Sequence, residues 1–567
     1  MKKERTNKPN KLFFIVAALL LIIIAIIVII NVTSKEENLK TALIINNKEV
    51  TERLKKDIFI DENSVIYLSK EDIANFFDEY ICIDNDINRI LTTYGTSSAT
   101  ISLSQKNMTV NGSNKQIIGS VIDKDNSYYL PFSEMKDVYN VEIKYIPKTN
   151  IVTVDSLDKE QIKATAAKNL SVKASTKFLA KTMDNIKKGE KVVYISSIDN
   201  EWAKVRTENG KIGYVKEKDL TNKITVREDL TKKEETKKIS LVWDYYSEYA
   251  KAPNRNGTSI NGINVVSPSF FMLQKGTDGE LYDNVKDSGL EYIKWAKENG
   301  YEVWPMFSNN SLKDTTSEIL NNYSSRQNLI ENIVNMAVKY NLDGVNIDFE
   351  YMYEKDKNKF SRFIIELAPR LKEIGVKLSV DVTAPDGSAD WSLCYDRKVI
   401  GDVADYVVFM AYDQYGTSSN KPGTTAGYNW IDSNLQKMID TSSVQHSEKM
   451  PANKIILGIP FYTRLWRTDS DGKFTSQVVN MKAVDTVLPA GAQRTWDEEL
   501  KQNYVEYKQE GYTYQMWIED AKSIKAKLDL FKQYKLAGVA FWEKDREIES
   551  VWNTISEVVN NWVIKKK

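Results

Sequence analysis

Histidine and cysteine are the scarcest reactive residues in this 567-residue chain, which has one histidine and two cysteines. A single histidine excludes a metal site built from several imidazoles, and it allows a Ser–His–Asp triad only through His446. That residue lies in SSVQHSEKM, a polar stretch typical of a surface loop. Cys82 and Cys394 cannot supply a four-ligand zinc site or a disulfide framework. We therefore expect no metal and no cofactor, and we interpret both thiols as small buried apolar groups.

Excess charge of either sign is absent as well. The 78 Lys and Arg residues balance 78 Asp and Glu residues, so the formal net charge is zero. A neutral chain has no general electrostatic attraction to nucleic acid, which is therefore not an expected partner. Aromatic residues, in contrast, are abundant, with 30 Tyr and 12 Trp, as expected where many planar faces must be met. The length predicts roughly three or four domains.

The N-terminal segment, residues 1–34, has the features of a membrane anchor. Residues 1–11 carry five Lys or Arg against one Glu, and residues 12–30 are 19 apolar residues without a charge. As a helix, such a run can cross a bilayer core of about 30 Å. No small-residue cleavage site follows it, so we expect an uncleaved single-pass transmembrane helix. The basic residues before it predict a cytoplasmic N-terminus and an extracellular remainder at the cell membrane.

Residues 40–156 consist of two related β-rich halves, which begin near Val65 and Ser127. Each half contains a strand with a Tyr-Leu pair (67–68 and 129–130), a short helix, and two more strands separated by a polar turn. This pattern resembles the domain named after the N-terminus of copper amine oxidases. The resemblance implies a β-rich α+β domain. The segment has no histidine, however, and we expect no copper chemistry.

Residues 165–221 contain short alternating strands, a turn at Gly189 and the segment GKIGYV. They resemble a bacterial SH3 domain, which implies a small β-barrel. Trp202 and Tyr214 fit two interpretations: a place in the barrel core, or a groove that binds cell-wall glycan or peptide. The charge-rich residues 222–238 are typical of a linker.

From Ile239 onward, short apolar strands alternate with segments of helical periodicity. The strand candidates are residues 239–246, 265–273, 301–309, 344–351, 377–385, 406–414, 454–462 and 538–545. This alternation predicts an α/β fold of the (β/α)8 TIM-barrel type over residues 239–560. The stretch from Thr463 to about Leu536 is too long for one connection. It predicts an inserted α+β subdomain, whose aromatic residues are Trp466, Trp496, Tyr514 and Trp517.

The fourth strand candidate lies in LDGVNIDFEYMY, residues 342–353, where polar and apolar residues alternate. In a strand, Asn346, Asp348 and Glu350 project in a row on one side, and the apolar residues between them project on the other. A DxE sequence alone also fits an ordinary strand with a solvated face. Buried carboxylates, however, are costly unless they are paired or used. On a barrel strand this row would point inward, with Glu350 at the C-terminal mouth.

Three motifs in this region resemble glycoside hydrolase family 18, in order and on the expected strands. Residues 343–350 resemble the family's fourth-strand motif, Asp-Gly-x-Asp-x-Asp-x-Glu. Residues 410–413 resemble its sixth-strand motif, Met-x-Tyr-Asp, and Trp542 on the eighth strand resembles the tryptophan at the floor of its sugar site. The resemblance covers about residues 239–558. The C-terminal part looks most similar to the bacterial branch that acts on spore cortex and cell wall.

This resemblance implies substrate-assisted catalysis, in which the acetamido group of the sugar takes the place of a protein nucleophile. Glu350 would protonate the leaving oxygen and later activate water. Asp348 would orient the acetamide and stabilise its developing charge, while Tyr412 would hydrogen-bond the acetamide oxygen. Asp413 would help to hold the distorted sugar, and Trp542 would form the floor of the pocket.

Asn346 departs from the family pattern, which has Asp at this position. An amide can hydrogen-bond Asp348 but cannot accept its proton, so the departure predicts lower activity or a shifted pH profile. We expect Asn346→Asp to be tolerated and to change the pH dependence more than the fold. The predicted catalytic set is Glu350, Asp348 and Tyr412, and the predicted substrate-binding set is Asn346, Met410, Asp413, Trp517 and Trp542.

The sequence thus predicts a membrane-anchored extracellular enzyme that cleaves β-1,4 bonds after N-acetylglucosamine with retention of configuration. Its expected partners are peptidoglycan or a chitin-like glycan, and the membrane. One alternative is a catalytically weak or inactive protein that binds cell-wall glycan on the same fold, which Asn346 favours and Glu350 opposes. Another is a membrane-tethered scaffold in which the barrel is incidental.

Overall fold

The structure is a computed structural model that describes residues 40–231, 237–439 and 448–564, with side chains as far as residue 559. The predicted membrane anchor at residues 12–30 and His446 lie outside the described residues. Within the described ranges, no helix is long and apolar enough to cross a bilayer. The chain divides into two compact units, formed by residues 40–76 with 118–231 and by residues 77–117 with 237–564.

The first unit begins with two small sheets. One contains Val141–Ile146, Ile151–Ser156, Ala42–Ile45 and Lys48–Glu49, and the other contains Ile122–Lys124, Ser127–Pro131, Ile66–Ser69 and Phe59–Ile60. In the second sheet Leu68 pairs with Leu130, so the two Tyr-Leu pairs of the sequence lie on neighbouring antiparallel strands. The helix Lys70–Phe76 follows the first of these strands. The β-rich character predicted for this region is confirmed, and its likeness to the copper amine oxidase domain stays a prediction.

The rest of the first unit is a seven-stranded antiparallel sheet. In spatial order its strands are Thr182–Ile186, Leu170–Lys173, Ile212–Lys216, Trp202–Arg206, Lys191–Ile198, Gln161–Ala166 and Leu220–Arg227. Val172, Val205 and Val215 belong to its buried core. Trp202 is only half-buried, and the Lys216 ammonium lies 4.0 Å from the centroid of its ring. Trp202 is therefore not a core residue, while the likeness to an SH3 domain stays a prediction.

The second unit is built around a parallel sheet whose strands follow the predicted positions. They are β1 (Ile239–Asp244), β2 (Val265–Pro268 and Phe271–Leu273), β3 (Glu302–Val303 and Met306–Ser308), β4 (Gly344–Asp348), β5 (Lys377–Val382), β6 (Tyr406–Met410), β7 (Ile455–Pro460) and β8 (Gly538–Trp542). Parallel pairing connects each strand to the next, and it connects β8 to β1. The sheet therefore curls into a ring, and the predicted strand–helix alternation is confirmed.

Helices cover the outside of this ring. They are α1 (Lys286–Glu298), α2 (Lys313–Asn321), α3 (Tyr323–Lys339), α4 (Lys357–Glu373), α5 (Arg397–Val403), α6 (Tyr428–Met438), α7 (Ala521–Gln533) and α8 (Ser550–Ile564). In α4, apolar residues three and four apart bury one face, as Phe360, Ile364 and Leu367 illustrate. Because helices cover the outer face and opposing strands fill the interior, β7 is buried along its whole length.

An antiparallel sheet is inserted between β7 and β8, in the region where the sequence predicted an insertion. Its strands are Tyr462–Thr468, Phe474–Asn480, Thr495–Asp497, Gln502–Gln509 and Tyr512–Ile518, accompanied by the short helix Val484–Val487. The sheet of the insertion ends at Ile518, and α7 occupies the rest of the gap that the sequence indicated. The reason is local, because Asp520 caps the start of α7 in a capping box and α7 packs against β7 and β8.

Residues 77–117 form a further antiparallel sheet that belongs to the second unit. Its strands are Cys82–Asp84, Arg89–Tyr94, Ser97–Ser102, Asn107–Val110 and Ser113–Gln116. Arg362 of α4 donates a hydrogen bond to the Tyr80 carbonyl, and the Tyr80 hydroxyl donates to Asp402 at 2.6 Å. The segment predicted as one domain, residues 40–156, is thus shared between the two units.

Candidate active site

The C-terminal ends of β4, β5, β6 and β8 surround a cavity of about 220 Å³. Enzymes built on a ring of parallel strands have their active sites at this end. The loops that follow the strands can vary there without disturbing the core. Six of the eight predicted site residues line the cavity, namely Asp348, Glu350, Met410, Tyr412, Asp413 and Trp542. Residues far apart in the sequence are therefore brought together as the sequence motifs suggested.

Trp517 and Asn346, the other two predicted residues, do not line this cavity. Trp517 lies in the inserted sheet, where its ring centroid is 5.0 Å from that of Tyr504. Asn346 is fully buried inside the ring, one alternation before Asp348 on β4. Any role of Asn346 in the site must therefore act through a neighbour.

The backbone around Glu350 is fixed by two side chains from other elements. Asn309 accepts a hydrogen bond from the Glu350 amide at 3.0 Å and donates to the Glu350 carbonyl at 2.9 Å. The Tyr395 hydroxyl donates to the Phe349 carbonyl at 2.8 Å. These contacts hold the chain just past the end of β4, so the position of the carboxyl group does not depend on the side chain of Glu350 itself.

Asp348 and Glu350 interact in the site, and burial makes both carboxyl groups harder to ionise. Burial, followed by the charge of Asp381, raises the pKa of Asp348 to about 7. Burial and the neighbouring Asp348 raise the pKa of Glu350 well above its usual range. The environment gives the two carboxyl groups different pKa values. Glu350 therefore keeps a proton, while Asp348 is the one that ionises.

One oxygen of Asp348 has no hydrogen-bond partner. Its Oδ1 atom is buried and accepts no hydrogen bond from any described residue. Most buried polar atoms in proteins have a partner, because an unmade hydrogen bond is costly. An acceptor of this kind, at the wall of a cavity, suits a ligand that brings its own N–H group.

Tyr412 and Asp413 enter the site from the end of β6. Burial raises the pKa of the Tyr412 phenol well above its usual range, so the group is a hydrogen-bond donor at neutral pH. Asp413 accepts a hydrogen bond at 2.8 Å from the hydroxyl of Tyr462, the first residue of the inserted sheet. The insertion therefore helps to position a residue of the site.

Aromatic rings form much of the remaining wall. The Trp542 ring centroid lies 5.7 Å from that of Trp243, and the two rings meet edge to face. Trp391 and Trp430 also line the cavity. Flat apolar rings of this size are suited to contact the faces of sugar rings.

Sequence reasoning missed Asp381 of β5, Tyr462, Trp391 and Trp430, which all line the cavity. Only Asp381 had a usable signal. The segment KLSVDVTAP repeats the alternation of β4, with polar residues at 379, 381 and 383, and this points to a second inward-facing polar row. The other three depend on loop paths that no local pattern specifies.

A curled parallel sheet with two interacting acids, a tyrosine and a tryptophan around one cavity defines the class of the protein, a glycoside hydrolase. The chain belongs to glycosyl hydrolases family 18, whose family model matches residues 241–547. The family membership expected from the sequence motifs is confirmed.

Several curated proteins are similar to this chain. It is 29% identical over 308 residues to the uncharacterized glycosylase YvbX of Bacillus subtilis, covering 52% of this chain and 84% of that protein. It is 27% identical over 286 residues to the putative sporulation-specific glycosylase YdhD of B. subtilis, with 49% and 65% covered. It is 26% identical over 255 residues to the cortical fragment-lytic enzyme of B. subtilis, with 44% and 56% covered. The chain thus spans less than two thirds of the latter two.

Among solved structures, a chitinase from Chromobacterium violaceum is similar at 25% identity and a TM-score of 0.48, covering 57% of this chain and 99% of that one. The spore cortex-lytic enzyme SleL of Bacillus megaterium is similar at 21% identity and a TM-score of 0.47, with 65% and 88% covered.

Proposed function

We propose that the protein hydrolyses β-1,4 bonds after N-acetylglucosamine in a cell-wall glycan, by substrate-assisted catalysis with retention of configuration. The observation that carries this proposal is the pair formed by Asp348 and Glu350, in which Glu350 keeps a proton and Asp348 presents an unpartnered, buried Oδ1 atom to the cavity wall.

The family of the chain argues against the two usual mechanisms of glycosidases. A glycosidase with a protein nucleophile separates its carboxyl groups by about 5–5.5 Å, and an inverting one by about 6.5–9.5 Å. Family 18 is an exception that uses neither arrangement, because the N-acetyl group of its substrate acts as the nucleophile. The nucleophile is therefore expected to come from the substrate.

An N-acetyl group on the sugar supplies that nucleophile. Its carbonyl oxygen attacks the anomeric carbon, the glycosidic C–O bond breaks, and the leaving oxygen takes the proton of Glu350. The acetamide N–H donates to Asp348 Oδ1, whose negative charge stabilises the cyclic oxazolinium ion, while Tyr412 donates to the acetamide oxygen. Water then attacks the anomeric carbon and gives its proton back to Glu350. Two displacements at one carbon retain the configuration.

Two arguments favour peptidoglycan as the polymer: the names of the curated relatives, and the predicted membrane anchor. Two relatives are described as a cortical fragment-lytic enzyme and as a putative sporulation-specific glycosylase. A predicted N-terminal anchor would also keep the enzyme beside the cell wall. Chitin-like glycan is the second candidate, since a Drosophila melanogaster protein named probable chitinase 2 is 24% identical over 260 residues. Digestion of the barrel by protease added to intact protoplasts would support the extracellular placement, and protection would oppose it.

The substrate is tested by incubating the detergent-solubilised full chain with purified peptidoglycan and with chitin oligomers, and by reading the products by mass. We expect peptidoglycan fragments that end in reducing N-acetylglucosamine. The same peptidoglycan after N-deacetylation is the control, and it should stay intact because the internal nucleophile is missing. Cleavage of chitin alone would select the second candidate, and cleavage of neither polymer would contradict the proposed function.

The pH dependence of the reaction is a second test. Catalysis needs Asp348 ionised, and its pKa is raised to about 7. The rate should therefore fall by about tenfold per pH unit as the pH drops below about 7. Asp348→Asn should be slower and should lose this acid limb, because the group that titrates is gone. A wild-type rate that stays constant down to pH 5 would contradict the assignment.

A further inference from the structure

Asp381 is a third carboxyl group at the catalytic pair, and none of the sequence motifs includes it. It projects from β5 into the ring, is 1% exposed, and lines the same cavity as Asp348 and Glu350. A buried carboxyl group in such a place needs a reason, because burial without a partner is costly.

The partner of Asp381 is Asn346, and the orientation of this amide is fixed. The indole N–H of Trp243, which can only donate, lies 2.8 Å from the Asn346 oxygen. The amide nitrogen must then point toward β5, where it donates to Asp381 Oδ1 at 2.7 Å and to the Ser379 hydroxyl at 3.1 Å. The hydrogen bond from Asn346 to Asp348 that the sequence suggested is not formed, because the amide turns to the neighbouring strand.

The strand register brings Asp381 beside Asp348. Asn346 is paired with Ser379, and Ile347 with Val380. The next position on β4 is Asp348, and the next on β5 is Asp381. Neighbouring strands lie about 4.8 Å apart, and side chains at such positions share one face. The two carboxyl groups therefore project side by side into the interior.

The groups that face Asp381 include no cation. From β4 it faces Asp348, Glu350 and the Asn346 amide, and from the end of β6 it faces the Tyr412 phenol. No described residue that lines the cavity is a Lys, Arg or His. Three buried carboxyl groups that lack a cation cannot all ionise together, so the cluster must retain protons.

We propose that Asp381 is a positioning residue that holds a proton beside Asp348, in the role that an acid at position 346 would have. The proposal rests on the function proposed above. One proton is shared between the two neighbouring carboxyl groups, and it stays on Asp381 when Asp348 ionises to face the oxazolinium ion. No proton leaves the cluster in this exchange. The family pattern places this carboxyl group on β4, at position 346. In this chain β4 carries an amide at that position, and the carboxyl group is carried by Asp381 on β5.

Asp381→Asn is the first variant to test. The new amide oxygen can still accept from Asn346, so the fold should be retained, and thermal unfolding checks this. We expect kcat to fall at least tenfold with a smaller change in KM. We also expect the acid limb of the pH–rate profile to change position, because the ionisation of Asp348 is coupled to the proton on Asp381. Asp529→Asn, the same change at an exposed position on α7, should leave rate and profile unchanged.

The exchange itself is tested by two more variants. Asn346→Asp alone removes the donor to Asp381 and places two buried carboxyl groups together, so it should lower both activity and melting temperature. This replaces the expectation from the sequence that the variant is tolerated. The double variant Asn346→Asp/Asp381→Asn returns the acid to β4 and an amide to β5. It should regain most of the rate and the wild-type acid limb.

Each outcome has a distinct meaning. A wild-type rate and pH profile in Asp381→Asn would overturn the role of Asp381, provided that the wild-type protein is active. A folded double variant that is as slow as Asp381→Asn would also overturn it, because the acid on β4 would then fail to substitute. An inactive wild-type protein would instead contradict the proposed function, independently of Asp381.

Discussion

Replacing Glu350 with glutamine should lower the rate of glycan hydrolysis by roughly 10²–10⁴-fold while the fold and the affinity for glycan persist. Glutamine has the shape of glutamate but has no acidic proton to give to the leaving oxygen. Its position should not change, because Asn309 binds the amide and the carbonyl of residue 350 and does not depend on the side chain. The loss should therefore fall on kcat and not on binding.

The matched control is Glu354→Gln, the same chemical change four residues later. Glu354 is exposed and begins a short 3₁₀ turn outside the cavity. Its loss should leave kcat within a factor of about two of wild type, as is usual for surface substitutions. Rates on peptidoglycan and binding to the insoluble polymer should be measured for both variants. Wild-type turnover in Glu350→Gln would remove Glu350 from the role of acid.

The sequence was sufficient for the parts of the site that lie on single strands. The alternation of Asn346, Asp348 and Glu350 marked an inward-facing polar row, and the structure places Asn346 and Asp348 on β4 and Glu350 just past its end. Local periodicity is enough for this row, since a strand orients its side chains by itself. Tyr412 and Trp542 were predicted from the resemblance to the family's motifs, and they lie just past the end of β6 and at the end of β8.

The parts that were missed depend on contacts between strands. The partner of Asn346 is chosen by Trp243 of β1 and by Asp381 of β5, so no reading of β4 alone could find it. Trp517 was predicted as a substrate-binding residue and as one of the aromatic residues of the insertion. It packs instead on Tyr504, since both lie on adjacent strands of the inserted sheet. Register, and not composition, decided both cases.

A buried ion pair joins the inserted sheet to the helix that follows it. Lys527 of α7 and Glu519 are both 0% exposed, and the Lys527 ammonium lies 2.8 Å from each Glu519 oxygen. Glu519 also accepts hydrogen bonds from Ser523 at 2.7 Å and from the side-chain amide of Gln502 at 2.5 Å. Glu519 is thus the centre of a network that ties the end of the insertion to α7.

Lys527→Met should lower the stability of this unit by about 3–5 kcal/mol, because it leaves the Glu519 carboxylate buried without its counter-charge. That loss corresponds to a fall in melting temperature of roughly 5–15 °C. The penalty should shrink as the pH falls. Burial already raises the pKa of Glu519, and without Lys527 the folded-state pKa rises further above that of the unfolded chain. Below both values the group is neutral in both states and the cost of an isolated charge disappears.

Lys532→Met is the control, since it makes the same substitution on the same helix. Lys532 pairs with Asp529 at 3.4 Å on the exposed side of α7, and such a pair contributes only about 0–1 kcal/mol. The double variant Glu519→Gln/Lys527→Met removes both buried charges and should recover much of the loss, because glutamine can still accept from Ser523. Thermal unfolding of the four proteins at pH 5 and pH 8 separates these cases. Equal melting temperatures for Lys527→Met and Lys532→Met at pH 8 would mean that the pair does not hold the insertion in place, and Tyr462 would then need another support to position Asp413.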